Sequence, residues 1–289
     1  MRSLLLVLLV ALPALGQSNV KVELEDVTDN RFAAGMLTGS LELRVTLTGT
    51  NLDKASAARV LIREARDDKG TDLAKNLKTP DFFGREYNNG TLQVGLASPS
   101  RAATRVKIKG TVELYVPSRD AANAIVKIDK ALARLDAPLS SKALKAAKIE
   151  LTPLSPAGYR KALESRKLDE KKLAEMRAEG KKQGVPEKEI EMMLELAQAL
   201  DSSDREVAEG SIFLAGRRDA FDRIYRVDIL GSDGQPIATP QRSTSMRGDD
   251  GIMTIVPSSA PPEDAALQLY VITQKARVTA PFELTVELP

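Results

Sequence analysis

The chain has 289 residues and contains no histidine, no cysteine and no tryptophan. The missing histidine and cysteine exclude the commonest general bases, nucleophiles and zinc ligands of enzymes. Hydrophobic residues make up 43% of the chain and charged residues 28%, which is typical of a globular protein with a buried core. Because 42 basic residues nearly balance 40 acidic ones, we expect no attraction to nucleic acid or to an anionic membrane.

The first residues have the features of a bacterial signal peptide. Arg2 provides the positive charge, Leu4 to Leu12 form an apolar run, and Ala14-Leu15-Gly16 matches the small-x-small cleavage pattern. The run breaks at Pro13 and is too short for an anchor helix, which needs about 20 apolar residues. We therefore predict cleavage before Gln17, a periplasmic or secreted mature protein, and no transmembrane segment after leader removal.

Six segments alternate apolar and polar residues, which is the pattern of half-buried β-strands. They are Val20–Leu24, Leu41–Leu47, Val106–Val116, Ile252–Val256, Leu267–Val271 and Val278–Leu288. Pro281 interrupts the last segment and removes a backbone donor, which predicts an edge strand or a bulge. Glycine-containing turns separate the segments, at Asp68-Lys69-Gly70, Asn88-Asn89-Gly90, Ser232-Asp233-Gly234 and Asp249-Asp250-Gly251.

From Ser155 to Asp201 the composition changes to Ala, Leu, Glu, Lys and Met, which favours helices. Gly184 and Pro186 divide this region into two predicted helices. In the second helix we expect a buried stripe of Ile190, Met193, Leu194 and Ala197. The apolar residues Met192, Leu196 and Leu200 make this stripe wider. Two alternatives remain open: the wider face packs on the protein's own core, or it forms a surface for a partner.

These patterns together predict a mainly β fold with two antiparallel β-sandwich domains. The first is expected over residues 17–140 and the second over 141–289, with a helical hairpin insertion at 155–202. A weak internal repeat supports two related domains. Arg59-Val60, a turn and Leu114-Tyr115-Val116 occur in the same order as Arg226-Val227, a turn and Leu269-Tyr270-Val271.

Two segments carry a resemblance to a known group of proteins. The segment from Tyr225 to Pro236, YRVDILGSDGQP, and the terminal PFELTVELP from Pro281 resemble the Ig-like β-domains of uncharacterised exported bacterial proteins. The resemblance covers about a quarter of the chain and implies a sandwich fold outside the cytoplasm. It identifies no active-site residues.

One loop-like segment concentrates aromatic residues beside an arginine: Phe82, Phe83, Arg85 and Tyr87. Such clusters are typical of binding anchors, although aromatic residues also cover the ends of aliphatic cores. Aspartates near Gly70 and Gly251 could be imagined as calcium ligands, but their spacing is not that of an EF-hand and suits turns. We therefore predict no metal site and no cofactor.

The most economical function is an exported, non-catalytic binding or structural module of the bacterial cell envelope. Its partner would be another envelope or extracellular protein. The candidate binding residues are Phe82, Phe83, Arg85, Tyr87, Met192, Leu196 and Leu200. The alternative is a carboxylate-dependent hydrolase, for example a glycosidase, because paired carboxylates are brought together by the fold and leave no spacing pattern in the sequence.

The signal peptide gives the first testable prediction. Protein isolated from its native host should begin at Gln17, because the pattern ending at Gly16 directs cleavage there. Intact-mass measurement of the periplasmic or secreted fraction checks this. An exported protein that still begins at Met1 would contradict it.

Overall fold

The computed structural model describes residues 20–30, 39–50, 52–75, 77–84, 91–165, 170–202 and 210–288. The predicted signal peptide and the Asn88-Asn89-Gly90 turn lie outside these residues. The fold is mainly β, with four antiparallel sheets, as the alternating segments predict. The contacts divide the chain into two compact units, Met1–Ile125 with Tyr270–Pro289, and Val126–Leu269.

The elements described are strands, helices and two short 3-10 turns. The strands are β1 (Val20–Asn30), β2 (Ser40–Gly49), β3 (Ala57–Asp67), β4 (Phe83–Gly84), β5 (Thr91–Ala97), β6 (Arg105–Tyr115), β7 (Ile125–Ile128), β8 (Leu151–Leu154), β9 (Ile212–Arg217), β10 (Ile224–Leu230), β11 (Pro236–Ile237), β12 (Gln241–Arg247), β13 (Asp250–Val256), β14 (Ala266–Val271) and β15 (Arg277–Glu287). The helices are α1 (Ala121–Ala124), α2 (Lys142–Ala146), α3 (Pro156–Glu164), α4 (Glu170–Lys182), α5 (Glu187–Ser202) and α6 (Arg218–Phe221). The 3-10 turns cover Pro117–Asp120 and Ala131–Ala133.

The first unit contains the sheets β1-β2-β5 and β15-β6-β3-β4. One hydrophobic cluster includes side chains from both sheets, so the sheets share a core. Leu43 and Val45 enter it from β2, and Ile108 and Val286 enter it from β6 and β15; all four are at most 2% exposed. The cluster is aliphatic, as the low aromatic content requires.

The C-terminal strand β15 confirms the alternation that the sequence predicts. Val278, Ala280, Leu284 and Val286 are buried while the residues between them are exposed or half-buried. β15 is paired with β6 over its whole length and lies at the edge of its sheet, as Pro281 predicts, because an edge strand tolerates a residue without an N–H. Because this strand pairs within the first unit, the boundary expected between residues 140 and 141 does not coincide with the division of contacts.

The second unit contains the sheets β7-β14-β10-β11 and β8-β9-β13-β12. Leu214, Ile229, Ile255 and Leu267 are fully buried on their strands. The turn expected at Asp249-Asp250-Gly251 needs correction, because Arg247 pairs with Asp250 and leaves Gly248-Asp249 as a two-residue turn. Gly248 has a φ of 59°, the left-handed value that the first residue of such a turn requires.

The internal repeat has a counterpart in the backbone. After β3, residues Asp67 to Thr71 form a turn, and after β10, residues Gly231 to Gln235 form a turn with the same pair of backbone hydrogen bonds. Gly70 and Gly234 occupy the same place in the two turns, with φ values of 87° and 76°. β3, which contains Arg59-Val60, lies beside β6, which contains Leu114-Tyr115. In the same way β10, which contains Arg226-Val227, lies beside β14, which contains Leu269-Tyr270-Val271.

The helical region contains three helices in place of the two expected, because α3 forms separately. Ser155 caps α3 by accepting a hydrogen bond from the Gly158 N–H, and Pro156 occupies the first turn. The division at Gly184 is confirmed: its φ is 75°, and the Val185 N–H donates to the Gly180 carbonyl at 3.0 Å to close α4. Over the ranges that the structure describes, no helix has the length and apolar character needed to cross a membrane.

Candidate functional site

Helices α4 and α5 pack against each other as a hairpin. Ile190 and Leu194 of α5 are buried, at 3% and 6% exposure. A Cβ at Gly180 would lie 2.9 Å from Ile190 Cγ1, so glycine permits the close approach of the two helices. Arg177 donates to both oxygens of Glu191 at 3.0 Å, which fixes the pairing on the polar side.

Helix α5 also exposes three large apolar side chains. Met192, Met193 and Leu196 are 64%, 58% and 60% exposed. The sequence leaves open whether Met192 and Leu196 pack on the protein's own core or lie on an open face, and the structure leaves both exposed. The expected burial of Met193 is wrong, because the buried side of α5 is centred on Ile190 and Leu194, and Met193 lies beside it. Leu200 belongs to α5, but its side chain lies outside the described residues.

A groove of about 820 Å³ lies between the helical region and the sheet β8-β9-β13-β12. Its helical wall includes Met176, which is 41% exposed. In the backbone register of the sheet, Arg217 of β9 lies opposite Asp250 of β13, and Asp250 lies opposite Arg247 of β12. Opposite charges therefore alternate across three strands. The complete lining is Glu150, Thr152, Ala162, Ser165, Glu175, Met176, Ala215, Gly216, Arg217, Arg247, Gly248, Asp250 and Gly251.

The groove contains carboxylates, which the hydrolase alternative requires. Glu150, Glu175 and Asp250 are all exposed to solvent. A glycosidase acid is held in a desolvated environment, whereas these three carboxylates face solvent. Among the residues that the structure describes, no group of three or more acidic side chains is arranged to hold a metal ion. The described lining therefore offers the hydrolase alternative no desolvated carboxylate.

The aromatic segment is described only in part. The Arg59 guanidinium carbon lies 4.3 Å from the centre of the Phe82 ring, and the same guanidinium forms an ion pair with Glu113 at 2.6 Å. The Phe82 ring is also 6.1 Å from that of the buried Tyr115. Phe82 is thus held by contacts within its own unit. Phe83 pairs through its backbone with Ala58.

The remaining residues of this segment lie beyond what the structure describes: the Phe83 side chain, Arg85 and Tyr87. A binding role for the aromatic segment stays a prediction. Arg59 already has an acidic partner, which favours a structural role for the part that is described.

The Asp67 carboxylate, one of the imagined calcium ligands, is engaged by the backbone. It is 6% exposed and accepts hydrogen bonds from the N–H groups of Lys69, Thr71 and Ser100 at 2.9, 2.8 and 2.8 Å. Burial by itself would raise the pKa of Asp67, but the hydrogen bonds from Ser100, Thr71 and Lys69 hold it well below its ordinary value. The carboxylate therefore closes the turn after β3.

No family model matches the chain, and no curated protein or solved structure matches it either.

Asp67 gives a prediction about acid stability. Because its folded pKa is lowered, its contribution is complete above the unfolded value near 4 and is lost as the pH falls below it. Asp67→Asn should cost about 2 kcal/mol at neutral pH, because the amide NH₂ would face a backbone N–H. The stability of this variant should also fall less steeply below about pH 5.

Denaturant melts at several pH values check this prediction. Asp129→Asn is the control, since the Asp129 side chain is 76% exposed. If the stability of wild type and of Asp67→Asn falls equally with pH, Asp67 does not cause the loss of stability in acid.

Proposed function

We propose that the chain is an exported, non-catalytic binding module of the bacterial cell envelope, and that the α4–α5 hairpin is its docking surface. The observation that supports this most is the exposure of Met192, Met193 and Leu196 on one side of α5, next to the buried Ile190 and Leu194. Adjacent large apolar side chains on an open helix face are a common mark of interaction sites. Methionine suits this use because its unbranched side chain adapts to a partner.

The partner we propose is another envelope or extracellular protein with an apolar groove or helix face. Leu196 lies four residues after Met192 and three after Met193, and these are the spacings at which helical anchors enter such a groove. Glu189 is exposed one turn before Met192 and Met193 and carries a negative charge at the edge of this surface. A basic rim on the partner would complement it.

We further propose that the β units are Ig-like sandwiches and that the protein acts outside the cytoplasm. The antiparallel sheets and the aliphatic core that two sheets share in the first unit support this assignment. The absence of cysteine also suits an exported chain, since no thiol can mispair in an oxidising compartment.

The hairpin proposal predicts a separation between binding and stability. Leu196→Glu should reduce capture of the partner about tenfold or more, because it would place a charge where the partner buries an apolar side chain. Its melting temperature should stay close to that of wild type, since Leu196 is 60% exposed. The measurement compares immobilised mature protein and variant in an extract of the native envelope, with quantitative mass spectrometry of the captured proteins.

Leu135→Glu is the matched control, because Leu135 is also exposed, at 41%, and lies off the hairpin. It should capture the same proteins as wild type. If Leu196→Glu unfolds the protein, the α5 face belongs to the core. If Leu196→Glu folds and captures as wild type does, the docking surface lies elsewhere.

A further inference from the structure

Strand β12 is an edge strand that lacks the protection seen on other edges. Within the described part of the chain it pairs with β13 alone, and residues 241–245 are all exposed. Natural proteins protect long edges with proline, bulges, short strands, charged side chains or covering loops. β12 carries two charged side chains, Arg242 and Arg247, but it has seven residues, no proline and a continuous register with β13.

The other edges show such protection. β15 contains Pro281, β8 contains Pro153, and β1 has a bulge between Leu24 and Asp26. β4 and β11 have two residues each, and β7 has four. At the end of β5, the Ala97 N–H donates to the carbonyl of Leu73 in a neighbouring loop.

The turn geometry shows which backbone groups of β12 face outward. Gly248-Asp249 is a two-residue turn, so the flanking Arg247 and Asp250 form a hydrogen-bonded pair. Bonding to β13 then alternates along the strand, through Ser245, Ser243 and Gln241. The N–H and C=O groups of the intervening residues Arg242, Thr244 and Met246 point away from β13.

We propose that β12 pairs with β12 of a second copy of this chain, antiparallel and centred on Thr244. Each outward residue would then donate one backbone hydrogen bond and accept one. The two sheets would continue into one another across a two-fold axis, as isologous dimers require.

The side chains of β12 are self-complementary in this register. Thr244 faces its own copy, Ser243 faces Ser245, and hydroxyl side chains opposite each other stabilise a sheet. Arg242 faces Met246, and Arg247 faces Gln241, so no arginine faces another. The strand carries no acidic residue that would be left opposite an apolar one. This contact is separate from the α4–α5 hairpin and does not depend on its proposed role.

Sedimentation velocity of the mature chain over about 1 to 300 µM tests the proposal. Wild type should form a reversible dimer. Thr244→Pro should abolish it while leaving the melting transition unchanged, because proline there removes an N–H that points away from β13. Ser243→Pro is the control shifted by one residue: it removes a bond to β13 and should destabilise the fold.

Gln241 tests the register, because it is exposed and faces the partner's Arg247 in the proposed pairing. Gln241→Glu should tighten the dimer and Gln241→Arg should weaken it, each by about threefold. A monomer at every concentration, or a Thr244→Pro variant that still dimerises, would overturn the proposal. Shifts of the same sign for the two Gln241 variants would overturn the register and with it the proposed contact.

Discussion

The fold depends on one constraint: aliphatic side chains must hold the sheets together, because the chain has no cysteine for disulfides and only 4% aromatic residues. In the first unit, Leu41, Leu43, Ile108 and Val286 meet in one cluster with almost no exposed surface. Such side chains pack densely only if the strands keep their register, since a slip by one residue would turn the apolar face outward. The stability of the first unit therefore depends on the register of its strands.

Charges on the outer faces agree with that register. Opposite the buried face of β15, Glu283 pairs with Lys107 of β6 at 2.8 Å, and both side chains are more than half exposed. Pairs of this kind contribute little energy individually, but they oppose a slipped alignment by placing unlike charges together. The two surfaces proposed to bind partners, the exposed face of α5 and the edge strand β12, lie outside this core.

Sequence periodicity predicts those strands that bury one face, and β1, β2, β6, β13, β14 and β15 all occur where it places them. β3 escapes detection because a bulge between Ile62 and Glu64 interrupts its alternation. Periodicity does not predict β12, because this strand has no buried face. It does not predict β9 either, because β9 begins with three consecutive buried residues and so does not alternate. The helix face of Met192 and Leu196 is visible from local spacing. The groove is not, because Arg217, Asp250 and Arg247 meet only through strand pairing.

The most direct test of this account is the effect of deleting one inward side chain from β15, compared with its outward neighbour. Leu284 is 4% exposed and Thr285 is exposed. Leu284→Ala should lower the free energy of unfolding by about 2 to 5 kcal/mol, and Thr285→Ala by less than about 1 kcal/mol. Denaturant melts of the two variants measure the difference. Equal losses would contradict the register of β15 and the aliphatic core built on it.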